Sequence, residues 1–122
     1  MTKRLLTTIL TTLLTAIGLQ AASGFTNVKL TVSGMTVTMS NGKTTIKIGS
    51  NGRASSMKWG SRELLDGSNG IYFDYTTAQG NKALSPSKLD IIKQTDEMCE
   101  VLYSATSGNT IFQQGYIMRN DI

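Results

Sequence analysis

A chain of 122 residues with no histidine and one cysteine lacks the usual general base, the commonest metal ligand and any internal disulfide. Two of its 12 Lys and Arg residues, Lys3 and Arg4, sit at the very N-terminus. The remaining charge is scattered, with no cationic run interleaved with aromatics, which argues against a nucleic-acid partner.

Residues 1–23, MTKRLLTTILTTLLTAIGLQAAS, have the layout of a secretory signal peptide. Lys3 and Arg4 form a charged start, LLTTILTTLLTAIGL an apolar helical stretch diluted by threonine, and Ala21, Ala22 and Ser23 a small-residue cleavage site. The apolar run is shorter than the roughly 20 residues that a spanning helix needs. A cleaved leader is therefore expected, with no membrane span in the mature chain and a periplasmic or secreted location. No cysteine follows the apolar run to carry a lipid. In an oxidising compartment a lone Cys99 is expected to be buried and inert. Residues 24–122 are then one domain of about 100 residues.

Beyond the leader, apolar residues recur at every second position. Val28, Leu30 and Val32 alternate with polar neighbours, as do Met35, Val37 and Met39, then Thr44, Ile46 and Ile48. Ile71, Phe73 and Tyr75 repeat the pattern, followed by Val101, Tyr103 and Ala105, and by residues 111–118. Period two gives strands with one buried and one wet face, hence antiparallel sheets. Asn41-Gly42 and Asn51-Gly52 read as positive-φ hairpin pairs, with further tight links at Gly60-Ser61 and Gly108-Asn109. Residues 67–70 read as a loop. Residues 78–87, which contain the sole proline, Pro86, read as an irregular crossing between sheets. About eight or nine short strands with regular turns predict an all-β, antiparallel β-sandwich. The final strand runs almost to Ile122 without a closing turn, and the expectation is a piece of a longer domain.

Three groups of residues invite a chemical reading. Asp96, Glu97 and Glu100 are acidic, but calcium needs six to eight oxygens, so a solvated hairpin turn is expected instead. Lys43, Lys47, Arg53, Lys58 and Arg62 form either a basic face for a uronate polymer or charged guards against sheet-edge aggregation. Trp59, Tyr72, Tyr75, Tyr103 and Tyr116 are candidate sugar-stacking rings. Parity places Trp59, Tyr75 and Tyr103 inward, in the core or at its rim. No Ser-His-Asp or Cys-His arrangement is available without histidine, and no phosphate-binding glycine loop opens a helix. No catalytic residue, metal ligand or cofactor is assigned.

Three stretches resemble the beginning of rhamnogalacturonan lyases of polysaccharide lyase family four: VTMSNGKTTIKIGSNGRASSMKWGSRELLDG, GIYFDYTT and GYIMRNDI. The first is similar to their opening meander with its G-x-E-L-L element. The second is similar to the aromatic strand that follows it. The third resembles the segment carrying Y-x-M-R, and Arg119 occupies its arginine position without an assigned role. The resemblance implies a galactose-mutarotase-like β-sandwich, here partial, from an enzyme that cleaves the rhamnose–galacturonate backbone of pectin by β-elimination. Its catalytic lysine and histidine lie downstream of the matched region; no cofactor is expected here, and calcium would belong to the full-length parent alone. The resemblance thus implies a lyase fragment, inactive alone, with a pectic, uronate-containing polysaccharide as partner. The alternative is a non-catalytic carbohydrate-binding or adhesin-like sandwich.

Overall fold

The computed structural model describes residues 24–65, 70–71, 74–83 and 85–122. The signal-peptide reading of residues 1–23 falls outside them. The described part is all-β. Its strands are β1 (Lys29–Ser33), β2 (Thr36–Ser40), β3 (Thr44–Ile48), β4 (Ala54–Trp59) and β5 (Arg62–Glu63), then β6 (Asp74–Thr77), β7 (Gly80–Ala83), β8 (Lys88–Gln94), β9 (Met98–Ser107) and β10 (Thr110–Arg119). Strands β1 to β5 form one meandering sheet in chain order. Strands β10, β9 and β8 form a second sheet, and β6 and β7 a separate hairpin. Every ladder is antiparallel.

The period-two pattern does what a half-buried strand requires. β9 alternates strictly, with Cys99, Val101, Tyr103 and Ala105 buried and their neighbours partly wet. β2 and β3 bury Val37, Met39, Ile46 and Ile48 in the same way. Apart from Ala105, these residues join Ala54, Tyr116 and Met118 in one apolar cluster between the sheets. That is the arrangement of a sandwich. Each large aliphatic side chain so buried stabilises the fold by about 1.5–3 kcal/mol relative to exposure.

The hairpins turn on glycine alone. Gly42 (φ 88°) and Gly108 (φ 58°) each occupy the first central position of a two-residue turn, where positive φ is needed. Asn41 was expected to share that conformation with Gly42, yet no described non-glycine residue has positive φ. Asn41 instead precedes the turn, fully buried, and its side chain caps it.

The structure departs from the sequence pattern in two places. Residues 78–87 are not wholly irregular, since β7 lies within them and pairs with β6. In β10 the even positions face inward, so Ile111 and Ile117 are 65% and 61% exposed. Trp59 keeps its expected inward parity and, 49% exposed, stands at the rim of the core.

The sheets are also tied by polar bonds. The Val28 N–H donates to the Asp96 carbonyl at 2.8 Å. The Tyr103 hydroxyl donates to the Met35 carbonyl at 2.7 Å, and the Tyr116 hydroxyl to the Gly52 carbonyl at 2.6 Å. The two tyrosine rings meet edge to face, 6.2 Å between centroids.

Candidate functional site

Five strands face three, so part of the larger sheet's inner surface has no strand above it. The uncovered part lies beside β10. There Ile46, Met57 and Trp59 from the large sheet and the Ile117–Arg119 end of β10 line a cleft of about 440 Å³. Its walls are mainly apolar, and Trp59 stands at its rim.

Local geometry fixes Trp59. It ends β4, opposite Thr44 of β3 and Arg62 of β5. Directly opposed residues point to the same face of a sheet, so Arg62 emerges on the same side as the indole. The Lys43 ammonium lies 5.6 Å from the Trp59 ring centroid and 4.4 Å from that of Phe25. These are cation–π distances. The Gly60 N–H donates to the Lys43 carbonyl at 2.7 Å and locks the two turns together. Glu63, next to Arg62, faces away. Its carboxylate accepts from the Ser56 hydroxyl at 2.6 Å and the Met57 N–H at 2.8 Å, which hold its pKa down at about 2. It therefore stays ionised on the opposite face.

The sequence-expected basic face is split. Lys43 and Arg62 accompany Trp59, whereas Lys47 and Lys58 are exposed on the outer face, with Lys58 opposite Glu63. Arg53 sits in the loop before β4. Of the candidate sugar-stacking rings, Tyr103 and Tyr116 are core residues, and burial raises both phenols, Tyr103 to about 12. The side chains of Tyr72 and Tyr75 lie outside the described part. Trp59 alone of the described candidates presents an open ring. Asp96 and Glu97 occupy the β8–β9 turn, and Glu100 points outward from β9 opposite Lys93. Arg119 forms a two-pronged pair with Asp121 at 3.0 Å.

Among the described residues no group of three or more His, Cys, Asp and Glu is placed to hold a metal ion. Cys99 is fully buried, and desolvation raises its thiol pKa. Sequence reasoning missed two contributors. Phe25 belongs to no alternating run, and its role appears only where Lys43 reaches it. Asn41 read as a turn residue, but its amide also donates to the Arg119 and Ile122 carbonyls, each at 2.8 Å. It thereby fastens the cleft wall of β10 to the large sheet.

The fold and cleft of the described residues define a class: an all-β, two-sheet protein with an apolar groove that has one tryptophan at its rim and a lysine beside the indole. No family model, curated protein or solved structure matches the chain. The likeness to rhamnogalacturonan lyases accordingly rests on the sequence motifs alone.

Proposed function

We propose that this chain is a non-catalytic binding module for a uronate-containing polysaccharide, with Trp59 as stacking platform and Lys43 and Arg62 as carboxylate partners. One observation carries the reading: an indole left half in water at the rim of an apolar cleft, with an ammonium 5.6 Å from its centroid. The apolar face of a pyranose ring covers such an indole, and charge-assisted hydrogen bonds to Lys43 and Arg62 orient the carboxylate. A neutral sugar would gain the first contact and not the second. Affinity electrophoresis tests this. Polygalacturonate in the gel should retard the protein and a neutral glucan should not. Trp59→Ala should abolish the retardation, and Arg62→Ala should weaken it severalfold. Equal retardation of wild type and Trp59→Ala would remove the site.

A second reading is the opening part of a rhamnogalacturonan lyase. The observation favouring it is the unequal width of the two sheets, which a further strand beside β10 would even out. It predicts that the coding sequence continues past Ile122 with Ser-Gly-x-Tyr and, later, a histidine. A stop codon there, with no lyase frame downstream, would dismiss it.

A further inference from the structure

From the chemistry of the sheet edges we infer that β10 pairs antiparallel with β10 of a second copy, around a two-fold axis at Gln114, to give a closed homodimer. Three of the four edges in the two main sheets carry features that discourage pairing. β8 has Lys88, Asp90 and Lys93 and a register break between Ile91 and Lys93. β5 is two residues long and charged, and β1 is a five-residue strand opening on Lys29. Such short, charged or bulged edges are how sheets avoid unwanted partners. β10 has none of them. It is ten residues long, runs in unbroken register with β9, and has no charge before Arg119.

The hydrogen-bond phase of that edge is fixed. Thr110 and Ser107 flank the two-residue turn and form a hydrogen-bonded pair, so even positions of β10 bond to β9 and odd positions point away. Two contacts agree: the Asn120 N–H reaches the Glu97 carbonyl beyond β9's start, and the Arg119 carbonyl points out to Asn41. The free edge therefore offers the N–H and C=O of Ile111, Gln113, Gly115 and Ile117.

The sequence Ile111-Phe-Gln-Gln-Gly-Tyr-Ile117 reads with the same apolar chemistry from either end. An antiparallel copy centred on Gln114 sets Ile117 opposite Ile111 of the second copy and Gln113 opposite its Gly115. All of these are outward-bonding positions, so each pair exchanges two hydrogen bonds. The same register keeps both faces consistent. The two isoleucine pairs, now 65% and 61% exposed, cover each other on the outer face, and Phe112 meets Tyr116 of the second copy on the inner face. A slip by one residue would lose both matches. The antiparallel sense also separates the two Arg119 side chains by the length of the strand. The cleft lies at the Arg119 end of β10, so the Thr110 end of the second copy's strand comes beside it. Burial on the order of 1,000 Å² would place the interface at the lower limit of specific ones. The other edges being guarded, pairing stops at two copies.

Sedimentation velocity on the purified protein, from micromolar to millimolar concentration, should show a reversible monomer–dimer equilibrium. Ile111→Lys should leave only monomer, while Ile92→Lys, which removes another exposed isoleucine at the β8 edge, should leave dimerisation unchanged. Register is read separately. The Gln114 pair is non-hydrogen-bonded, with Cα atoms about 4.5 Å apart, within disulfide range. Oxidised Gln114→Cys should give a covalent dimer and Gln113→Cys should not. A wild type that stays monomeric, open-ended assembly, equal loss of dimer in Ile92→Lys, or equal cross-linking at both cysteine positions would overturn the inference. Ile111 does not line the cleft, so binding to polygalacturonate that survives in Ile111→Lys would show that the sugar site stands without the dimer.

Discussion

Asn41 is the most consequential polar side chain in the fold. It is fully buried and makes four hydrogen bonds through one amide. Oδ1 accepts from the Lys43 and Thr44 N–H groups at 3.1 and 2.8 Å, and Nδ2 donates to the Arg119 and Ile122 carbonyls. Asn41→Ala strands all four partners. At about 1 kcal/mol net for each bond, discounted where the turn amides reach water, the loss is about 3 kcal/mol. With a urea m-value of about 1 kcal/mol/M for a domain this small, the unfolding midpoint should fall by about 2–3 M. Asn41→Asp separates the two halves of the role. It keeps the acceptor for the turn but sets a carboxylate against two carbonyl oxygens. It should be less stable than Asn41→Ala at pH 7 and recover part of the loss in acid, where its protonated form donates one bond. A midpoint shift below about 0.5 M for Asn41→Ala, or a neutral effect of Asn41→Asp, would refute the claim that this side chain joins the sheets.

Other outcomes follow from the same geometry. Tyr103 keeps its proton in the fold up to about 12, while the unfolded phenol ionises near 10. Its contribution is fully present below pH 10 and lost as pH rises through 12, so alkaline urea melts should show a falling midpoint that flattens in Tyr103→Phe, at a cost of about 1 kcal/mol at neutral pH. Glu63 has the opposite sign. Its pKa drops from 4.5 to about 2 on folding, so the stability it adds is present above pH 4.5 and lost as pH falls toward 2, and Glu63→Gln should flatten that acid limb. The Cys99 thiol should react with a colorimetric disulfide reagent only at the rate of unfolding; rapid reaction in the native state would contradict its burial.

What was legible in the sequence was the face of each strand. β2, β3 and β9 alternate so cleanly that their buried residues can be named without coordinates. β10 was harder, because Ile111-Phe112 and Tyr116-Ile117-Met118 are apolar on both faces. Its parity is decided by pairing with β9, where Gln114 opposes the buried Tyr103. β7, Gly-Asn-Lys-Ala, has little strand propensity, and only its ladder to β6 makes it a strand. The site was half legible. Period two placed Trp59 on the inner face correctly. It could not reveal that the opposite sheet is too narrow to cover that face, since sheet width is a property of long-range pairing. The five cations of the opening meander form one group along the chain, but strand parity alone sends Lys47 and Lys58 to the far side from Trp59.

Trp59 is the only tryptophan, so its fluorescence reports on the cleft rim without labelling. Titration with oligogalacturonates should give a saturable change in its emission that weakens with added salt, because Lys43 and Arg62 supply the charge contacts. Neutral oligosaccharides of the same length should give little. An emission spectrum unmoved by uronate oligomers at millimolar concentration, or moved equally by neutral ones, would contradict the binding site described for this protein.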